Sequence, residues 1–472
     1  MLSDMSNAKV IRDLAGHRQR TKNEQKLRKD YNAITNGVIW KELIRYVLPL
    51  IFGTFFQQLY NTIDAVVVGR FVGKEALSAV GGTSSVIVNL FVGFFVGLSS
   101  GASVICAQYF GAEKREELSH AVHTGIALSI VSGLGLMLIG TVLAPMFTLW
   151  MHTPEEIRPL TTLYLRIYFL GMVPNLLYNM AASILRAVGD SKRPLYFLIV
   201  SCILNILLDL LLVLGFRMGV AGVAIATILC QLISSVLAVL VLMRTHASYR
   251  LFPRKIRMHR MQLEKIVSIG IPAGLQALMY SISNVVIQTS INGFGTNNVA
   301  AWTAYEKLDA IFWLISSSFG VAITTFIGQN YGAGLYHRVH QCIRQALVII
   351  TLVFVSISSI FCIFGPTVLQ LFTEDASVLQ IGTMMVRFLS PFYFTYIGIE
   401  VFSSTLRGLG DAVRPMLISL FGICVLRVIW ILVAVPRWHS VKTVMLSYII
   451  TWAVTSILYM LYYRHYTRVH GI

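Results

Sequence analysis

The chain has 472 residues, of which 56% are hydrophobic and only 12% charged, with a mean hydropathy of +0.71. Soluble globular domains carry about 25% charged residues, so this composition excludes that class. The net charge of +17 would suit a nucleic-acid partner, but the placement of the basic residues argues against one.

Residues 1–45 are polar and basic, most densely from Arg18 to Lys29, and read as a partly disordered cytoplasmic arm. No cleavable signal is expected, because this polar stretch precedes the first apolar run. Twelve apolar segments of spanning length follow, at 46–68, 79–108, 121–143, 161–186, 195–214, 219–243, 266–291, 300–327, 340–364, 378–406, 416–435 and 440–462. A transmembrane β-barrel is excluded, because its strands alternate over about ten residues instead of running apolar for about twenty. The expected fold class is an all-α polytopic membrane protein. With the N-terminus inside, most of the 38 Lys and Arg lie on the inner side. Only Arg70, Lys74, Arg158, Arg217, Arg437 and Lys442 fall outside, and Arg166, Lys307, Arg387 and Arg427 within spans. This positive-inside bias places both termini in the cytoplasm and the protein in the inner (plasma) membrane. The arm would set topology and could touch anionic membrane lipids. Six cysteines sit in or beside apolar spans without CxxC spacing and read as small packing residues.

The first span carries Asn61-Thr-Ile-Asp64, and an intramembrane carboxylate is read first as functional. Asn61 lies one turn before Asp64 and is expected on the same face. The fifth span carries Asn205-Ile-Leu-Leu-Asp209, whose i,i+4 spacing puts both side chains on one face. Asp64 and Asp209 each lie roughly 7.5 Å below the outer end of their spans, at ~1.5 Å per residue. Thr227 brings a hydroxyl to a similar depth. Two carboxylates, an amide oxygen and a hydroxyl at one level make a hard-oxygen cation site, or a pair sharing one proton.

The chain also repeats itself. Arg186-Ala-Val-Gly-Asp190-Ser-Lys-Arg193-Pro194 returns as Arg407-Gly-Leu-Gly-Asp411-Ala-Val-Arg414-Pro415, and Gln108-Tyr-Phe-Gly-Ala112 as Gln329-Asn-Tyr-Gly-Ala333, both at an offset of 221. Pro49 aligns with Pro272 at an offset of 223. Six spans per copy give both halves the same orientation, related by a pseudo-two-fold axis along the membrane normal. The expected division is an arm (1–45), an N-lobe (46–243), a cytoplasmic linker (244–265) and a C-lobe with a short tail (266–472). Two such lobes rocking about a site near mid-membrane is transporter architecture, and no enzymatic activity is expected.

The twelve spans, the 6+6 repeat, the Asn61-Thr-Ile-Asp64-Ala-Val-Val-Val-Gly69 run and the doubled Arg-x-x-Gly-Asp-x-x-Arg-Pro turns resemble the multidrug and toxic compound extrusion (MATE) family over residues 46–465. The resemblance implies export of amphipathic, cationic compounds by alternating access, driven by inward sodium or proton flow. It implies an N-lobe cation or proton site at Asp64, Asn205, Asp209 and Thr227, and no cofactor or metal beyond the coupling ion. Pro49 matches the family's first-helix proline and would act as a hinge. Gln57, Gln58, Tyr60 and Asn61, with Gln276 and Tyr280 opposite, would line the substrate cavity, or else join helices by hydrogen bonds. The C-half buries Glu306, Lys307, Asp309, Glu400 and Arg427, expected either to pair internally or to shape that cavity. The protein is expected to act as a monomer.

Three other functions are weighed. A lipid-linked saccharide flippase of the wider superfamily would want a strongly cationic cavity. The Gly408-Leu-Gly-Asp411 run matches the signature of intramembrane aspartyl proteases, but lies in a basic turn. ATP-driven pumping lacks a Walker A sequence. His120/His123 and His337/His340 read as solvated helix faces.

Overall fold

A computed structural model describes residues 32–471 and is built from helices. The first 31 residues of the expected arm lie outside the described residues. The N-terminal half contains α1 (Ala33–Asn36), α2 (Ile39–Phe71), α3 (Lys74–Gly81), α4 (Thr83–Gly111), α5 (Arg115–Trp150), α6 (Arg158–Leu170), α7 (Met172–Ala187), α8 (Lys192–Asp209) and α9 (Gly219–Arg244). The second half contains α10 (Arg260–Asn292), α11 (Thr296–Gly332), α12 (Tyr336–Leu369), α13 (Ala376–Leu389), α14 (Ile397–Leu409), α15 (Val413–Ser419), α16 (Leu426–Arg437) and α17 (Val441–His470). α10 starts at Arg260, inside the stretch expected to be linker.

Among the described residues, nine helical rods are long and apolar enough to cross a membrane, or ten if α6 and α7, bent by 50° at Gly171, form one span. The other two expected spans are helical but less apolar or less regular. α2 carries Gln57, Gln58, Asn61 and Asp64, and the tenth is broken by a 3-10 segment, Ser390–Tyr396, that opens with Ser390-Pro391. Proline at the start of that segment removes an amide donor and favours the break.

The doubled turns realise their chemistry in detail. Gly189 and Gly410 adopt left-handed φ of 94° and 99°, which glycine reaches without strain. Asp190 and Asp411 then accept from the amides of Arg193 (3.1 Å) and Arg414 (3.4 Å), and Pro194 and Pro415 open the next helices. The halves meet along α4 and α10, where Gly97 and Gly101 face Gly274 and Gly270. A methyl on either α4 glycine would fall within 3.0 Å of the opposing backbone. Two such small-xxx-small ridges allow the close helix approach that membrane packing favours.

The linker is not a loose tether. The buried His123 accepts the Phe252 amide at 3.0 Å, and the His120 and His259 rings stack at 4.1 Å. The expectation of a solvated face therefore fails at His123: the returning linker covers it.

Candidate functional site

The expected N-lobe residues converge. Asp64 comes from α2, Asn205 and Asp209 from the last turns of α8, and Thr227 from α9; all four are buried. Thr227 Oγ1 bonds the Val223 carbonyl of its own helix at 3.0 Å and lies 3.4 Å from Asp64 Oδ2. Asp209 and Asn205 lie close enough to Asp64 to act on its carboxyl electrostatically, without a hydrogen bond between them. A π-helical turn, Leu210–Gly215, begins immediately after Asp209, a helix irregularity common at functional positions. Five atoms here are buried with no hydrogen-bond partner among the described residues: Asp64 Oδ1, both Asp209 oxygens, and Asn205 Oδ1 and Nδ2. Each orphaned polar atom costs about 1–3 kcal/mol. A shared proton or a cation held by these oxygens would relieve that cost.

Below this cluster lies a cavity of about 30 Å³, lined by Asn205, Thr227, Gln57, Tyr60, Asn175 and Gln231 among others. A water needs roughly 10–15 Å³ measured this way, so the space suits a small ion or a few waters and not a drug. Asn175 and Asn179 were missed by sequence reasoning. Their i,i+4 spacing within an apolar span was the available signal, and Asn179 Nδ2 donates to Asn175 Oδ1 at 3.1 Å.

The remaining expected cavity residues separate. Gln58 and Asn61 are exposed and line neither this cavity nor the larger cleft. Asn61 is exposed although it stands one turn from the buried Asp64. Gln276 and Tyr280 line a different space, a cleft of about 360 Å³ between the halves. Its N-terminal wall is Gly93, Gly97, Ser100 and Arg186; its opposite wall carries Trp313, Tyr396, Glu400 and Arg407. This volume is in the drug-sized range.

The C-terminal charges behave unlike the expectation of internal pairing. Glu306 and Lys307 are exposed, Asp309 and Glu400 half-buried, and only Arg427 fully buried. Among the described residues none of the five forms a salt bridge. Instead Asp309 accepts from Tyr305, Tyr393 and Trp313, and Glu400 accepts from Ser316 at 2.8 Å. Gly320 makes room for Glu400, since any Cβ there would collide with the carboxylate. Arg427 donates to Ser283 and Thr451 and packs 4.2 Å from the Tyr448 ring centre. Hydroxyl and indole groups thus stand in for counter-ions: they donate to Asp309 and Glu400 and, at Arg427, accept.

An all-helical membrane protein with two repeated halves, a buried acidic cluster in one and a cleft between them has the architecture of a secondary transporter. The MatE family model matches residues 49–211 and again 272–433, one match per half. The chain belongs to the MATE family, whose members are membrane multidrug efflux transporters, not enzymes. It is 27% identical over 432 residues to the probable multidrug resistance protein YpnP of Bacillus subtilis, covering 91% of this chain and 96% of that one. It is also 27% identical over 393 residues to YoeA of the same organism, covering 82% and 84%. The fold matches a MOP superfamily transporter from Pyrococcus furiosus with a TM-score of 0.86 at 22% identity, over 93% of this chain and 98% of that chain.

Proposed function

We propose that the protein is a secondary antiporter of the plasma membrane, with both termini cytoplasmic, which exports amphipathic small molecules in exchange for sodium ions or protons. Asp64, Asn205, Asp209 and Thr227 take the coupling ion, and the central cleft takes the substrate. The observation that carries this reading is the mismatch between two spaces. The acidic cluster has orphaned oxygens beside room for only an ion, whereas the cleft is drug-sized and aromatic. Two carboxylates that share one occupant compete between proton and cation, which links ion entry to a change in helix packing. Within the cleft Glu400 faces a cationic group, while Trp313, Tyr280 and Tyr396 offer ring faces and edges to an apolar body. Pro49 lies within α2, the helix that carries Asp64, and serves as the hinge through which ion binding reaches the cleft.

A lipid-linked saccharide flippase draws support from Arg186 and Arg407 in the same cleft. Arg407, however, already donates to Gln276 Oε1 at 3.1 Å, and Glu400 opposes a pyrophosphate there. The deciding experiment is dye efflux in everted vesicles with imposed sodium or pH gradients. Gradient-driven dye accumulation supports the antiporter; no dye movement under either gradient defeats it.

A further inference from the structure

We propose that Asp309 is a positioning residue of the substrate cleft: it fixes the Trp313 indole as an aromatic wall and thereby sets affinity for planar aromatic substrates, without taking part in ion coupling. This rests on the cleft being the substrate site.

Tyr305, Asp309 and Trp313 stand one turn apart on α11, so the aromatic side chains flank the carboxylate on one helical face. Trp313 Nε1 donates to Asp309 Oδ2 at 2.6 Å. Tyr393 Oη donates to Oδ1 at 2.6 Å, and Tyr305 Oη reaches the same oxygen at 3.2 Å. Three donors therefore occupy both carboxylate oxygens, an arrangement of charge-assisted bonds that is short and directional. Asp309 thus differs from Asp64 and Asp209, which retain orphaned oxygens.

The consequence falls on Trp313. Its ring is half-buried, lines the cleft, and meets Tyr396 edge-on at 4.9 Å between centroids. An indole with a free N–H could rotate into the open cleft; with that N–H held, the ring stays against its wall. Tyr393 belongs to the 3-10 segment between α13 and α14, and it stacks on Phe312 at 4.0 Å. One carboxylate therefore ties α11 to the broken tenth span, and the aromatic wall is built from both. Glu400 lies one turn beyond Tyr396 and faces the cleft directly. A substrate's positive charge meets Glu400, and its ring system meets the surface that Asp309 holds in place.

Asparagine at position 309 is nearly isosteric but turns one acceptor into a donor, which then opposes a donor of Trp313 or Tyr393. The test measures ethidium binding to the purified full chain by fluorescence polarisation, for Asp309→Asn, Trp313→Phe and the double variant. Each single change should weaken binding about tenfold, and the double should be no weaker than Trp313→Phe alone, because Asp309 acts through that ring. Sodium and pH dependence of ethidium efflux should remain at saturating dye. Additive losses in the double variant overturn the proposal, as does loss of ion dependence in Asp309→Asn. If Asp309→Asn does not fold, Tyr393→Phe replaces it and should lower affinity only where Trp313 is present. Glu400→Gln separates the two levels of the argument. Weaker binding there with a neutral Trp313→Phe overturns the proposal alone, whereas neutrality in both removes the cleft as the substrate site as well.

Discussion

Gln108 and Gln329 reach across the molecule in opposite directions. Gln108 Nε2 donates to the carbonyl of Gly408 at 2.9 Å, and Gln329 Nε2 to that of Ala187 at 2.6 Å. Donors and acceptors are each 221 residues apart, so every half clasps the RxxGDxxRP turn of the other. Gly111 and Gly332 allow it, since a side chain on either would strike the Gln329 or Gln108 carbonyl. The clasp lies at the end of the molecule that carries Asn32, which also donates to Gln329 Oε1 at 2.9 Å.

Opening the cleft to that end must break both bonds. At about 0.5–1.5 kcal/mol each, losing one shifts the equilibrium roughly two- to twelvefold toward the opened state. Gln108→Ala and Gln329→Ala should therefore each raise the labelling rate of the fully buried Cys106 by an impermeant maleimide applied to the face that carries Asn32, and the double variant more than either. Unchanged labelling in the double variant would count against a clasp.

The linker supplies a pH prediction. Arg257 Nε donates to His259 Nε2 at 2.9 Å, which fixes that nitrogen as an acceptor and leaves Nδ1–H to donate to Thr124 Oγ1 at 3.3 Å. Desolvation, followed by the neighbouring His120, Arg257 and His123, lowers the His259 pKa below the ordinary histidine value. The docked linker thus binds fewer protons than the released one, so docking is complete above about pH 6.5 and weakens as pH falls below it. Hydrogen exchange of residues 245–259 should accelerate at pH 5.5 relative to 7.5 after correction for intrinsic rates, and His259→Gln should flatten that difference.

Coupling energetics yield a third expectation. One monovalent ion entering down 100 mV and a tenfold gradient supplies about 3.7 kcal/mol, a few hundredfold concentration ratio for a neutral substrate. When a monovalent cation leaves one-for-one, the voltage terms cancel and only the tenfold remains. Collapsing the potential with valinomycin should therefore slow efflux of neutral or zwitterionic dyes while sparing cationic ones. Equal slowing of both classes would rule out one-for-one exchange.

The sequence was most legible where spacing alone decides contact. Asn205 and Asp209 had to share a face of α8, and the repeat offset foretold which turns would be equivalent. It was least legible where a helix merely passes near another. Asn61 looked like a partner of Asp64, but it is exposed where Asp64 is buried, and spacing along one helix does not show what packs over each position. Glu306 and Lys307 looked buried because apolar residues surround them in sequence, yet both are exposed. The aromatic donors of Asp309 come partly from Tyr393, far along the chain, and no periodicity links the two. The reciprocal clasp was also hidden: the repeated Gln-x-x-Gly-Ala runs were visible, but not that each would cross to the other half.

The strongest test of the ion site uses Asp64 and Asp209 together. Both carboxyls are buried against each other and against Asn205, with three of their four oxygens lacking a hydrogen-bond partner among the described residues. If they share one ion or proton, Asp64→Asn and Asp209→Asn should each abolish sodium- and pH-driven dye efflux while leaving equilibrium dye binding in the cleft within about twofold. The double variant should be no worse than either single, because removing one member already disables the unit. Thr227→Val keeps shape but loses the hydroxyl that touches Asp64 Oδ2, and should raise the half-saturating sodium concentration severalfold without abolishing efflux. Pro49→Ala should slow turnover and leave ion affinity intact, because it restores a backbone bond to α2 well away from the cluster. These variants are compared at matched expression in everted vesicles. Wild-type efflux in either aspartate variant would remove the coupling from this cluster and direct the search to Glu400, whose carboxylate faces the cleft.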